Sequence, residues 1–206
     1  VFNPETDPAL AHHYSADNMF GKWENKKELR GELGLRTDTD APILAMVTRL
    51  AGHKGIDLLC YIARRLLEHE VQLVIVGTGE KQYEYALSAL ARDYPGKVSV
   101  NLRFDPAFAS RVYAGSDIYL MPSKSEPCGL SQLIAMHYGT VPVVASTGGL
   151  RDTVPPYNHE NEEGRGFTFQ SYNADDFLGA IDRAIGLYFG NRDKWNRLAQ
   201  NDMRCD

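Results

Sequence analysis

Apolar residues in this chain fall into short runs separated by amphipathic or polar stretches. Four runs are nearly continuous and of strand length, at residues 43–47, 73–76, 118–121 and 141–145. A fifth segment, 98–102, alternates, and 167–169 is a brief sixth. Between them, residues 57–68 place apolar side chains at 58, 59, 62, 63, 66 and 67, which is helical spacing. A polar helix is predicted over 80–93 and ends at Pro95-Gly96. Shorter helices are predicted over 106–113 and 130–138, and two more over 175–188 and 193–203. Ahead of the first strand, residues 22–33 predict a helix closed by Gly34, and the rest of the first forty residues are polar and irregular. Continuous apolar strands alternating with helices indicate an α/β fold with a Rossmann-like parallel β-sheet flanked by helices on both faces. No internal repeat or low-complexity tract interrupts the pattern, and the one long loop expected is 155–165. The expectation is a single domain over residues 1–206, in which 1–40 form a lead-in segment and helix.

Composition narrows the function. The chain has 206 residues, 43% hydrophobic and 24% charged, close to a globular average. No apolar run approaches the roughly 20 residues of a membrane span, so no membrane partner is expected. The first residues carry neither a basic region nor an apolar core, which argues against a signal peptide. The missing initiator Met suggests a fragment or a processed chain. With 22 Lys and Arg against 27 Asp and Glu, the formal charge is -5, and no basic footprint for nucleic acid exists. The three cysteines, Cys60, Cys128 and Cys205, suit neither a disulfide framework nor a zinc site. They point to a reducing compartment, with Cys60 and Cys128 expected as buried small hydrophobes.

In parallel sheets ligands bind beyond the carboxyl ends of the strands, so the residues after each strand carry the candidate chemistry. After the first strand, Arg49 and Lys54 flank a turn that opens a helix: a diphosphate cradle, or two solvated cations on a loop. After the second, Gly77-Thr78-Gly79 is compatible with nucleotide contact and equally with a tight turn. A third glycine is missing and no Walker sequence is present, which counts against a dehydrogenase and a P-loop enzyme. After the third, Phe104 could stack on a base or belong to the core. After the fourth, Glu126 precedes Pro127, Cys128, Gly129, Leu130 and Ser131 at a helix start. That carboxylate could bind sugar hydroxyls, steady positive charge or cap the helix. Cys128 has no histidine arranged to activate it, so packing is the better reading. After the fifth, Thr147, Gly148 and Gly149 form either a backbone cradle for anions or a plain turn.

Taken together, these segments resemble the carboxyl-terminal domain of the bacterial glycogen synthase and plant starch synthase family. The matching strings are Thr48-Arg49-Leu50 with Lys54-Gly55-Ile56-Asp57, Tyr113-Ala114-Gly115-Ser116-Asp117 and Met121-Pro122-Ser123. They continue through Glu126-Pro127-Cys128-Gly129-Leu130, Tyr138-Gly139-Thr140-Val141-Pro142-Val143-Val144 and Thr147-Gly148-Gly149-Leu150-Arg151-Asp152-Thr153-Val154. The Glu-Pro-Cys-Gly-Leu string is the most specific of these. The resemblance implies a GT-B glycosyltransferase, of which this chain is the donor-binding half, with the amino-terminal acceptor domain absent and no turnover from the chain alone. It implies transfer of glucose from ADP-glucose, or UDP-glucose, to an α-1,4-glucan with retention, without a metal or other cofactor and without an enzyme nucleophile. Arg49 and Lys54 would then neutralise the departing diphosphate, which is where charge builds. Glu126 would contact the transferred glucose and stabilise an oxocarbenium-like transition state. Gly77, Phe104, the segment Cys128, Gly129, Leu130 and Ser131, and Thr147, Gly148 and Gly149 would line the nucleotide-sugar pocket.

Departures from the family pattern are Phe104 where Tyr is usual, Ser131 where many members have Thr, and His53 for a commoner Gln. Related families place a second Glu eight residues after the first, where this chain has Ile134. The competing readings are a different GT-B transferase and a non-catalytic sugar-nucleotide or glucan module, with a flavodoxin-like regulatory domain the most remote. A bacterial cytoplasm is the expected location, with a plastid the alternative.

Overall fold

A computed structural model of the chain describes residues 2–126 and 129–205. Its centre is a six-stranded parallel sheet with strands β1 (Ile43–Val47), β2 (Gln72–Val76), β3 (Val98–Asn101), β4 (Ile118–Met121), β5 (Val141–Ala145) and β6 (Phe167–Phe169). The spatial order is β3-β2-β1-β4-β5-β6. Leu44 faces Leu73 of β2 on one side and Ile118 of β4 on the other. The chain therefore builds outward from β1 through β3, then crosses back to lay β4 against β1. That reversal opens a crevice at the carboxyl ends of β1 and β4, where parallel sheets bind ligands.

The helices are α1 (Phe20–Leu33), α2 (Ile56–Leu66), α3 (Lys81–Asp93), α4 (Pro106–Gly115), α5 (Ser131–His137), α6 (Gly148–Thr153), α7 (Ala174–Gly190) and α8 (Arg192–Met203). Side chains set several of their ends. Gly34 closes α1 in the left-handed conformation at φ 67°. Asp105 accepts from the Ala107 and Phe108 amides at the start of α4, with Pro106 in the first turn. Asn173 and Asn191 cap α7 and α8 in the same way. Strands β1, β2, β4 and β5 are buried almost throughout. Burial on both faces is what their unbroken apolar runs require.

Two features differ from the sequence expectation, and a third adds to it. Residues 148–153, where no helix is predicted, form the short helix α6, anchored by the fully buried Leu150. Cys60, expected in the core, is only partly buried, and burial beside Asp57 pushes its thiol pKa up to about 11. Among the described residues Cys60 and Cys205 are both free thiols. The lead-in segment lacks regular structure but is far from loose: Leu10, Tyr14 and Met19 are core residues, and the Tyr14 hydroxyl donates to the Tyr138 carbonyl at 2.6 Å. No helix is long and apolar enough to cross a membrane among the described residues.

Asp202 on α8 is a fully buried carboxyl, and among the described residues neither of its oxygens has a hydrogen-bond partner. Burial drives its pKa well above the carboxylate range, with Arg165 opposing. The folded state thus holds a proton that the unfolded chain releases above its ordinary value of 3.8. This group's stabilising contribution is complete below that pH and declines as pH rises toward the folded pKa. Asp202→Asn is expected to remove this decline and to be the more stable protein at pH 7–8. Each tenfold difference in proton affinity between the folded and unfolded chain is worth about 1.4 kcal/mol of that gain. Urea unfolding of both proteins from pH 4 to 8 checks it, and parallel curves would refute it.

Candidate functional site

The crevice at the carboxyl ends of β1 and β4 gathers four loops. The first follows β1 and contains a 3-10 turn, Gly52–Lys54, ended by Gly55 in the left-handed region at φ 82°. A side chain at Gly55 would overlap the Pro122 carbonyl, so only glycine lets this loop close onto the one after β4. The contact brings together two of the candidate residues. The Lys54 ammonium lies 2.9 Å from a Glu126 carboxylate oxygen. Their side chains are 23% and 12% exposed, so water screens the pair only partly. Lys54 comes from the β1 side of the crevice and Glu126 from the β4 side, 72 residues apart in the chain.

Backbone bonds fix both loops. The Lys124 amide donates to the His53 carbonyl at 2.9 Å. The Gly52 amide donates to the Glu80 carboxylate at 3.1 Å, tying the turn to the loop after β2. The Gly149 amide, at the start of α6, donates to the Glu126 carbonyl at 3.3 Å. Gly129 packs under Glu126, and a Cβ added there would lie 2.8 Å from the Glu126 Cγ. Beneath the crevice the Tyr119 hydroxyl donates to the Val47 carbonyl at 2.9 Å. Burial raises that hydroxyl's pKa well above normal, so it remains a donor.

The other candidates fall around this pair. Arg49 is exposed at the mouth, and its side chain makes no hydrogen bond or ion pair among the described residues. Phe104 is 70% exposed just past the end of β3, which removes it from the core and leaves its ring face open. Leu130 is also exposed at the rim, and Ser131 begins α5 half-buried. Thr147 and Gly149 are half-buried and Gly148 exposed at the start of α6. Gly77 is placed differently: it is buried at φ 147°, and a Cβ there would overlap the Thr48 carbonyl. Its smallness is already required by the protein's own backbone. Cys128 and Pro127 lie outside the described residues.

Several residues of the site carry no motif signal of their own. Glu80 and Lys124 belong to it through the bonds above, and Tyr172 reaches it from the loop after β6. Among the described residues no group of three or more His, Cys, Asp or Glu side chains forms a metal-ligand cluster.

The cation–carboxylate pair thus stands at the switch point of the parallel sheet, where such folds take their ligands. Residues 25–202 match the family of glycosyl transferases group 1. The chain belongs to that family. Within it, the whole chain is 50% identical to a glycogen synthase of Clostridium botulinum (strain Alaska E43 / Type E3) and 47% identical to one of Desulforamulus reducens. In both cases it spans 43% of the relative's length. Among solved structures it superposes with TM-score 0.94 and 34% identity on the catalytic domain of starch synthase IV from Arabidopsis thaliana, described as bound to ADP and acarbose. All of this chain and 43% of that one are covered. The fold is thus the GT-B-like half that this catalytic domain contains.

Proposed function

We propose that the chain is the donor-binding half of a retaining glucosyltransferase that carries glucose from ADP-glucose to the non-reducing end of an α-1,4-glucan. The observation that carries this reading is the 2.9 Å pairing of Lys54 with Glu126 across the switch point, with Arg49 exposed at its mouth. In the reaction an acceptor hydroxyl bonds to the sugar's anomeric carbon as the bond to the diphosphate oxygen breaks. The diphosphate leaves with the electron pair and takes up the hydroxyl's proton. Lys54 and Arg49 are suited to hold the growing negative charge, and Glu126 the positive charge on the sugar ring. Phe104 supplies an open aromatic face for the base. Gly148 and Gly149 offer backbone near the sugar and phosphates, together with Gly129, Leu130 and Ser131. Gly77 contributes by letting the loops after β1 and β2 meet.

The acceptor glucan would bind across the cleft with the remainder of the protein, since the curated relatives are more than twice this chain's length. Turnover is accordingly expected of the complete protein and not of these residues alone. The free thiols of Cys60 and Cys205 and the bacterial relatives support a cytoplasmic setting. ADP rather than UDP is favoured by the likeness to the starch synthase described with ADP.

Calorimetric titration with ADP and with UDP tests the donor. ADP is expected to bind more tightly, and Lys54→Ala to weaken it about 10- to 100-fold, the worth of one charge-assisted hydrogen bond. A preference for UDP would replace the donor. Failure of the complete protein to elongate a glucan from ADP-glucose would leave a binding module.

A further inference from the structure

Tyr172 has no part in the roles assigned above, yet it touches the lysine-bearing turn and its neighbours at three points. It lies in the loop between β6 and α7, at the far edge of the sheet. Its hydroxyl is 2.7 Å from the Asp57 carboxylate in the first turn of α2 and 3.4 Å from the Gly52 carbonyl of the turn itself. A hydroxyl has one proton, so the short contact to Asp57 is the bond, and the Gly52 carbonyl lies at the edge of its reach. The Lys124 ammonium lies 5.6 Å from the centre of the Tyr172 ring. Lys124 is the residue whose amide holds the His53 carbonyl. The turn is thus gripped by Glu80 from one side, Lys124 from a second and Tyr172 with Asp57 from a third. Lys54 is its last residue.

We propose that Tyr172 is a positioning residue, which fixes the 3-10 turn so that the Lys54 ammonium stands where the donor diphosphate must arrive. A lysine side chain has four rotatable bonds, and its ammonium can be aimed only if its backbone is held. The turn's own bonds, Lys54 amide to Ala51 carbonyl and Gly55 amide to Gly52 carbonyl, set its shape but not its place over the crevice. Tyr172 provides that placement from an element more than 110 residues away in the chain. Burial and the neighbouring Asp57 carboxylate raise the hydroxyl's pKa, so the bond persists across the working pH range.

The inference rests on the donor-site reading, and its test separates the two. Dissociation constants for ADP are measured by calorimetry on the complete protein, for wild type, Tyr172→Phe, Lys54→Ala and the double variant. Tyr172→Phe keeps the ring and removes only the hydroxyl, so the fold survives, as an unchanged melting temperature will verify. It is expected to weaken ADP binding about fivefold in the wild-type background, the worth of one ordinary hydrogen bond. With Lys54→Ala it is expected to add nothing, because the ammonium it positions is gone. An equal cost in both backgrounds would mean that Tyr172 acts on the ligand itself or on the fold at large, and would overturn the proposal. So would a Tyr172→Phe protein that binds ADP like wild type. A wild-type protein with no affinity for ADP would defeat the donor-site reading and this inference with it; additive costs in a protein that does bind would defeat this inference alone.

Discussion

Glu126→Gln is expected to stop glucan elongation and, in the same protein, to tighten binding of ADP. The two effects have opposite signs because the carboxylate serves two partners. In the proposed reaction it faces a sugar ring that gains positive charge, and an amide cannot offset that charge. Loss of one such preorganised group lowers turnover by about 100- to 1000-fold. Before the donor arrives, the same carboxylate holds the Lys54 ammonium at 2.9 Å. An incoming diphosphate must then share that ammonium with a negative group, and it is repelled by the group itself. At an effective dielectric constant near 20, two unit charges 4 Å apart interact by about 4 kcal/mol. Lost hydration and the weaker hold of an amide on Lys54 return most of that, so a gain of about 3- to 10-fold in ADP affinity is the expected remainder. Initial rates and calorimetry on one preparation measure both. If the variant loses affinity for ADP as well as rate, Glu126 serves chiefly to aim the ammonium, and the division of charge between sugar and phosphate proposed here is wrong.

The sheet was legible in the sequence because its strands are buried on both faces, and such strands read as unbroken apolar runs. Helix α6 was not legible, for a physical reason. It begins with two glycines, which are poor helix formers, and runs only six residues. Its helical state comes from tertiary anchors: Leu150 is fully buried, and the Gly149 amide is held on the Glu126 carbonyl. The pairing of Lys54 with Glu126 could be anticipated only through the resemblance, since nothing in either local string points to the other. Phe104 and Gly77 show the limit of reading a loop residue by type. The aromatic that could have been core is open to solvent, while the glycine that could have touched a ligand is committed to the Thr48 carbonyl. Tyr172 lay beyond reach altogether, because its hydrogen-bond partners are more than 110 residues distant and no motif marks it.

Lys22 was hidden by a different prior. Lysine on a helix is almost always solvated, and residues 22–33 read only as a helix closed by Gly34. In the structure the Lys22 side chain is buried, and its ammonium donates to the Ala114 carbonyl at 2.9 Å, the Tyr138 carbonyl at 2.8 Å and the Thr140 hydroxyl at 3.0 Å. The Tyr113 carbonyl lies further off, at 3.3 Å. Tyr113 and Ala114 are in the last turn of α4, and Tyr138 follows α5, so the amine sits where two helix dipoles present their negative ends, while burial lowers its pKa to about 7. Lys22→Met, of similar length and no charge, is expected to destabilise the chain by about 2–4 kcal/mol. The cost comes chiefly from the Ala114 carbonyl, which would be left buried without its donor, since Tyr138 keeps the Tyr14 hydroxyl. Urea unfolding measures this directly. The ends of α4 and α5 lead into β4 and β5, so Lys22 lies by the amino-terminal ends of these strands, opposite the crevice. ADP affinity of the folded variant should therefore match wild type, while its unfolding midpoint falls. A loss below about 0.5 kcal/mol, the range of an ordinary surface substitution, would mean that water replaces the buried amine and that Lys22 is not what holds α1 to the domain.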